Sequence, residues 1–147
     1  MRRLFLLSAL CTALALATAG CGSRTAPKTA SEGAAFNGKV IVLTDSLLAA
    51  GGADTLRFGR LHEGMIAQRR LRLENRTAQP VVLLRHEANC GCVSLQYEPR
   101  PFAPGETCDV TLQFDARGEW GWQMKLLRLH LSGAAAPLKL FVEADIE

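Results

Sequence analysis

Two cysteines separated by one glycine, Cys90-Gly91-Cys92, are the residues of this sequence with the clearest chemical potential. Two thiolates at this spacing can chelate a soft metal such as Cu(I) or Zn(II), because the glycine lets the backbone turn tightly between them. His86 lies four residues before Cys90 and could supply a third ligand. The same pair can also form a redox-active disulfide. The motif therefore indicates metal binding or redox exchange as one candidate function.

A structural disulfide is the competing interpretation, because the thiols of exported proteins tend to be oxidised. A bond from Cys90 or Cys92 to Cys108 would close a loop of roughly 15–20 residues and contribute about 3 kcal/mol through loop-closure entropy. We favour this bridge, which leaves one thiol of the three unpaired. A bond within the motif, and a metal held by Cys90, Cys92 and His86, stay open as alternatives. No metal or other cofactor is predicted.

Trp120 and Trp122, on either side of Gly121, form a candidate aromatic contact for a glycan or a protein. Packing of both indoles in the core or at a sheet edge is the favoured interpretation. The sequence contains no nucleophile elbow, phosphate-binding loop or zinc-protease helix. The predicted set of catalytic residues is therefore empty, and we expect that the chain is not an enzyme.

The first twenty residues predict where the chain is delivered. Arg2 and Arg3 precede an apolar run that ends in small residues before Cys21, which is the pattern of a secretory signal peptide. Small residues directly before a cysteine resemble a bacterial lipobox, so Cys21 is the predicted lipidation site. Several acyl chains hold a soluble domain at a bilayer much better than one does. Residues 1–20 are therefore assigned to a signal peptide and residues 21–37 to a lipidated, flexible tether.

The predicted location is the bacterial cell envelope, with the lipid in the outer membrane and the domain facing either the periplasm or the surface. No acidic residue directly follows Cys21 to indicate retention at the inner membrane. The membrane is thus one predicted partner, reached through the N-terminal lipid. A protein or glycan of the envelope is the other, and its identity is left open.

Charge excludes one class of partner. The chain has 17 Lys and Arg residues against 14 Asp and Glu residues, and Arg2 and Arg3 leave with the signal peptide. The mature chain is therefore nearly neutral and lacks the basic footprint of a nucleic-acid-binding domain. Arginines are locally enriched between residues 57 and 85, which we interpret as a solvated strand face rather than an anion site.

Hydrophobic periodicity after residue 38 predicts strands throughout. Alternation is clearest at residues 108–114 and 138–146, and proline and glycine clusters separate the strand-like segments. The continuous apolar run of residues 81–84 is typical of a central strand covered on both faces. Residues 120–132 change apolar phase in mid-strand, which predicts a β-bulge near Leu126 and Leu127. Residues 47–52 read as an interruption between strands.

Strand count and spacing predict an all-β domain over residues 38–147, an immunoglobulin-like antiparallel β-sandwich of about seven strands. Several short motifs recur in the order of a known family. They are Phe58-Gly59, Glu63-Gly64, Leu71-Arg72-Leu73-Glu74-Asn75, Asn89-Cys90-Gly91-Cys92-Val93, Tyr97, Pro104-Gly105-Glu106 and Leu112-Gln113-Phe114-Asp115. The chain thus resembles the bacterial Cys-Gly-Cys domains of unknown function found in envelope lipoproteins, which are similar to abnormal-spindle/Hydin-like immunoglobulin-fold domains. The resemblance implies a sandwich and an envelope location but no activity.

Two functions follow as expectations. The first is a non-catalytic envelope lipoprotein that acts as an immunoglobulin-like interaction or assembly module. The alternative is a thiol-based metal-binding or redox protein centred on Cys90-Gly91-Cys92. Replacement of Cys90 by serine discriminates between them, since only the second function requires the thiol for activity.

Overall fold

The structure, a computed structural model, describes residues 36–147, which lie within one compact unit. The predicted signal peptide, the lipidated Cys21 and most of the predicted tether lie outside the described residues. Within the described range, no helix is long and apolar enough to cross a membrane.

Eight strands form two four-stranded sheets. The first sheet has the order β1-β3-β6-β5 and the second has the order β2-β8-β7-β4. The elements are β1 (Lys39–Leu43), α1 (Asp45–Ala50), β2 (Gly52–Leu61), β3 (Ile66–Asn75), β4 (Leu83–Ala88), β5 (Val93–Gln96), β6 (Thr107–Asp115), β7 (Gly121–Leu131) and β8 (Leu138–Ile146). The predicted all-β sandwich is therefore confirmed, with eight strands in place of about seven.

Both sheets are mixed, whereas the sequence predicts antiparallel sheets. β1 pairs with β3 in parallel, and β2 pairs with β8 in parallel. Parallel neighbours need a crossover between them. For β1 and β3, the chain supplies that crossover by passing through α1 and β2 on the opposite sheet. Such pairings join strands that are distant in sequence, so local turn signals do not reveal them.

The segment predicted as an interruption contains the short helix α1. The Thr44 hydroxyl caps its start by accepting a hydrogen bond from the Leu47 amide at 3.2 Å. Asp45 lies in the first turn, where a negative charge is favourable. Gly51, at φ 76°, follows the last helical residue, and Leu48 is buried. The sequence does not predict this helix, because it is too short to show a periodic pattern and Gly51 and Gly52 directly follow it.

The core lies between the sheets and follows the alternation that the sequence predicts for β6 and β8. The inward side chains of these two strands are all buried, and they are Cys108, Val110, Leu112, Phe114, Leu138, Leu140, Val142, Ala144 and Ile146. Leu71 and Leu73 of β3 meet this set from the same sheet as β6. The period-2 pattern is reliable here because each strand has one buried and one solvated face.

The predicted bulge in β7 is wrong. β7 pairs with β8 in an unbroken register from Gly121 to Leu129, so residues 122 and 124 point away from the core. The apolar phase changes because Trp122 and Met124 are exposed, while Leu127 and Leu129 are buried. The register shifts in the second sheet lie instead in β2, between Arg57 and Gly59, and in β4, between Leu83 and Arg85.

The apolar run of residues 81–84 is also not a central strand. Val81 forms an isolated bridge with Phe102, and β4 begins only at Leu83. β4 is an edge strand of its sheet, and Leu84 is 58% exposed. A short apolar run cannot specify two-sided burial, because it lacks the alternation that would mark a face.

Candidate functional site

The Cys90-Gly91-Cys92 turn connects β4 of one sheet to β5 of the other. Asn89 fastens it to β7, because its amide donates to the Leu126 carbonyl at 3.1 Å and its Oδ1 accepts from the Leu126 amide at 2.9 Å. The Asp115 amide donates to the Cys92 carbonyl at 2.8 Å and fastens the turn to the end of β6. The turn therefore bridges the two sheets at one end of the sandwich.

Cys90 and Cys92 are bonded to each other, with their Cα atoms 5.3 Å apart. Both are partly buried against the core, whereas Gly91 is exposed. Gly91 does not have a positive φ, and a Cβ added to it would meet nothing within 4 Å. The turn therefore does not require the backbone freedom of glycine at position 91, contrary to the prediction.

Cys108 is the free cysteine among residues 36–147, so the favoured bridge from the motif to Cys108 is absent. Cys108 begins the inward face of β6 opposite Leu73, and Cys92 lies beside Asp115 at the far end of that strand. The separation is about seven residues, or roughly 24 Å at 3.4 Å per residue. A disulfide needs Cα atoms within about 7 Å. Burial raises the pKa of the Cys108 thiol.

The alternative metal site is not assembled either. His86 packs edge-on against Tyr97, with ring centroids 5.8 Å apart. The two sulfurs are bonded to each other and offer no thiolate in this form. In the part of the chain that the structure describes, no three or more His, Cys, Asp or Glu side chains are grouped to hold a metal ion.

The two tryptophans are exposed, in contrast to the favoured prediction that they pack. Trp120 is 65% exposed and Trp122 is 63% exposed. Met124 follows on the same outward phase of β7 and is 49% exposed. Large apolar side chains that stand in water on a regular strand are a candidate contact surface.

Pairing across three strands places charged groups beside Trp122 and Met124. In one row Trp122 of β7 pairs with Asp145 of β8, which pairs with Arg60 of β2. In the next row Met124 pairs with Glu143, which pairs with Arg57. We call this surface the tryptophan face. It consists of Trp122, Met124, Glu143, Asp145, Arg57 and Arg60.

The bulge in β2 is what brings both arginines to this face. Side chains three positions apart normally point to opposite faces of a strand. Phe58 is the extra residue, and it points inward with its ring centroid 5.6 Å from that of Phe114. Gly59, at φ 79°, completes the bulge, so Arg57 and Arg60 both point outward.

Arg69 of β3 supports this bulge from the other sheet. Its Nη2 donates to the Phe58 carbonyl at 2.9 Å, and its guanidinium carbon lies 5.8 Å from the centre of the Phe58 ring. A bulged residue lacks its normal ladder partner, so a charged donor satisfies its carbonyl. Arg69 is therefore a positioning residue for the tryptophan face.

All residues of the tryptophan face except Met124 line a shallow pocket of about 280 Å³. Gly59 and Ala144 add their backbone to its lining. Arg57 is held in place by Glu143, with Nε and Oε2 2.8 Å apart. The sequence places Arg57 and Arg60 in a solvated arginine cluster but does not indicate the two carboxylates, because only the register of three strands brings these residues together.

The rest of the arginine cluster behaves as a solvated strand face, as predicted. Arg72 makes two hydrogen bonds to Asp109, at 2.6 and 2.7 Å, and these lower the pKa of the Asp109 carboxyl. Arg76 pairs with Glu74, and Arg85 pairs with Glu87.

The described residues thus form a β-sandwich domain with an exposed aromatic and charged face and a disulfide-closed turn. The model of a family described as a protein of unknown function, DUF1573, matches residues 51–146, and the chain belongs to this family. The resemblance to a family of unknown function is confirmed at that level. No curated protein is significantly similar to the chain.

Two solved structures share the fold. A protein of unknown function from Porphyromonas gingivalis W83 has 16% identity and a TM-score of 0.56, over 62% of this chain and 43% of that one. The Vibrio cholerae VesB protease has 15% identity and a TM-score of 0.51, over 62% of this chain and 30% of that one. This chain spans less than half the length of either. At such identities the similarity extends to the fold alone.

Proposed function

We propose that this protein is a non-catalytic binding module of the bacterial cell envelope, tethered by lipid at Cys21, and that its tryptophan face contacts an envelope partner. One observation carries the proposal. The outward face of β7 exposes Trp122 and Met124 to water, whereas Leu127, Leu129 and Leu131 of the same strand are buried in the core.

Exposure of these side chains is unfavourable for a domain that has no partner. Burial of apolar surface contributes about 25 cal/mol per Å², and an exposed tryptophan forgoes most of that gain. Tryptophan and arginine are also the residues most often found at the energetic centre of binding surfaces. The tryptophan face combines both types on paired strands, where little ordering is needed on binding.

The tether supports the same function from the sequence. Residues 22–35 are mostly small and polar, a composition that can hold the domain away from a lipid surface while leaving it free to turn toward a partner. Such an anchor also restricts the domain to partners in the same compartment, which raises their effective concentration.

Site-specific photo-crosslinking in the source bacterium tests the proposal. A photoreactive residue replaces Met124 in the full chain, and the matched control replaces Gln68, an exposed residue on the outer face of the first sheet. We expect a discrete adduct from position 124 and none from position 68. Equal adducts from both positions, or none from position 124, would refute the proposed binding face.

The lipid anchor is tested separately by the mass of the N-terminal peptide purified from envelope fractions. We expect acyl chains on Cys21 and cleavage directly before it. An unmodified Cys21, or an intact leader, would refute the anchor without affecting the crosslinking result.

A second candidate, a thiol redox protein, is favoured by the bond between Cys90 and Cys92 in a half-exposed turn. In such a reaction a partner dithiol attacks the disulfide and is itself oxidised, while Cys90 and Cys92 each gain a hydrogen. Rapid alkylation of cells with a mass-tagged thiol reagent distinguishes the two functions. A binding module keeps the pair oxidised, whereas a redox protein shows a reduced fraction that changes with the growth conditions.

A further inference from the structure

We propose that the tryptophan face is a carbohydrate-binding site that takes one pyranose ring of a neutral glycan on Trp122 and its hydroxyl groups on Asp145 and Arg60. This inference rests on the proposed function, because it names the ligand class of the same face.

Each row presents an apolar surface, a carboxylate and a guanidinium, in that order across three strands. A pyranose ring has an apolar C–H face and a rim of hydroxyl groups that both donate and accept hydrogen bonds. The exposed indole of Trp122 matches the C–H face. A carboxylate accepts from a hydroxyl and a guanidinium donates to one, so Asp145 and Arg60 can bind neighbouring hydroxyls of the same ring.

The dimensions of the face match this ligand. Neighbouring strands lie about 4.8 Å apart, so a row from β7 to β2 spans roughly 10 Å. Rows two residues apart along the strands are separated by about 6.8 Å. One row is therefore as wide as a sugar ring with its substituents, and the second row, from Met124 to Arg57, can contact the next sugar. The pocket of about 280 Å³ lies just below the range of roughly 300–1,000 Å³ that is usual for small-ligand sites, which suits contact with a single sugar ring.

The charges of the face favour a neutral ligand. Two arginines and two carboxylates balance each other, so neither an acidic nor a basic polymer gains net attraction. The core of a protein–protein interface is depleted in charged residues, whereas four of the six side chains of this face are charged. A ligand that is both apolar and rich in hydroxyl groups satisfies all six.

The site is also held ready for a ligand. The bulge supported by Arg69 fixes the outward direction of Arg57 and Arg60, and Arg57 also pairs with Glu143. Within residues 36–147, neither Arg60 nor Asp145 makes an ion pair, so both groups can bond to hydroxyls without breaking an internal contact. Less conformational entropy is then lost on binding.

Immobilised tetrasaccharides test the inference against the purified mature protein. The probes are a neutral hexose tetramer of glucose, one of mannose, an N-acetylglucosamine tetramer and a uronic acid tetramer. We expect saturable binding to at least one of the three uncharged probes, with little dependence on salt. Trp122→Ala should weaken it at least tenfold, and Asp145→Asn and Arg60→Gln should each weaken it severalfold.

Leu84→Ala is the matched control, because Leu84 is nearly as exposed as Trp122, at 58% against 63%, and lies on β4 of the same sheet. We expect it to bind the sugars as the wild type does, and circular dichroism verifies that every variant is folded. The inference is overturned if no uncharged probe binds, if only the uronic acid binds, or if Trp122→Ala binds as well as Leu84→Ala.

The crosslinking experiment separates the two proposals. If glycosidases leave the adduct at position 124 unchanged and proteases shorten it, the face binds a protein. The carbohydrate inference then fails, while the proposed function stands. If position 124 yields no adduct, the proposed function fails. An adduct shortened by glycosidases supports both.

Discussion

At the scale of single residues, a buried polar side chain joins two loops of the sandwich. Asn75 is fully buried at the end of β3. Its Nδ2 donates to the carbonyls of Gln79 and Phe102, both at 2.9 Å, and its Oδ1 accepts from the amide and hydroxyl of Thr77. One side chain thus holds the β3–β4 turn against the β5–β6 loop.

Replacement of Asn75 by alanine should lower the free energy of unfolding by about 3 kcal/mol, since several buried polar groups lose their partners at 1–3 kcal/mol each. Urea denaturation of the purified protein measures this. Gln113→Ala is the control, because within residues 36–147 the Gln113 side chain hydrogen-bonds only to Gln68 on a solvated face, and its effect should stay within about 0.5 kcal/mol. Equal effects of the two variants would contradict the structural role of Asn75.

Cys108 makes the stability sensitive to alkaline pH. Burial raises the pKa of its thiol above the ordinary value near 9.0, so the folded protein keeps the proton longer than the unfolded chain does. The stabilisation is complete below pH about 9 and is lost as the pH rises through the folded pKa. In urea titrations at pH 7.5 and 10.5, the wild type should lose more stability than Cys108→Ala.

A parallel decline in the two proteins would show that the thiol does not titrate in this way. Alkylation gives an independent measurement. Native Cys108 should resist iodoacetamide at pH 8 and react once urea unfolds the chain, because only the exposed thiolate is nucleophilic.

At the scale of elements, the sequence predicts strands best where one face is buried and the other is exposed to solvent. β6 and β8 alternate cleanly and their inward residues are those predicted. The prediction for β7 is wrong because it assumes that apolar side chains point inward. Trp122 and Met124 are apolar but exposed, so the strand has apolar residues on both faces. The bulge at Phe58 left no sign, since the extra residue is itself a good strand former.

Two glycines provide a matched test of the β2 bulge. A Cβ at Gly59 or at Gly91 would meet nothing within 4 Å, but only Gly59 has a positive φ, of 79°. Gly59→Ala should therefore lower the free energy of unfolding by about 1 kcal/mol, and Gly91→Ala should change it little.

Thermal or urea denaturation of both variants measures this difference. A larger loss from Gly91→Ala would show that the disulfide turn, and not the bulge, depends on glycine. Intact mass after alkylation should show the Cys90–Cys92 bond unchanged in either variant.

At the scale of the whole molecule, the class of fold follows from the sequence but the topology does not. Strand content and turn signals are local, and they predict a two-sheet sandwich correctly. The parallel pairs β1–β3 and β2–β8 depend on contacts between distant segments. The tryptophan face arises from such a pairing, so its charged members could not be predicted with the tryptophans.

The sandwich should lose some stability in acid through two of its surface carboxylates. Hydrogen bonds from Arg72 lower the pKa of Asp109, and those from Arg117 lower the pKa of Asp115 to about 2. Depressed folded pKa values contribute stability above the unfolded pKa near 3.8, and this is lost as the pH falls through the folded values.

Stability should therefore be level from pH 7 to about 5 and decline from pH 4 toward 2. Fluorescence-monitored urea titrations across this range measure the profile. Asp109→Asn should flatten part of the decline, and an unchanged slope in this variant would assign the acid sensitivity to other groups.

β8, the last strand in chain order, lies in the interior of its sheet, between β2 and β7. β2 has no other neighbour in that sheet, so it cannot pair until residues 138–146 have been synthesised. A chain emerging from a ribosome or a translocation channel therefore cannot close the second sheet early. The first sheet has all of its strands once residue 115 has emerged, so the two halves of the sandwich become available in succession, the second only with residues 138–146.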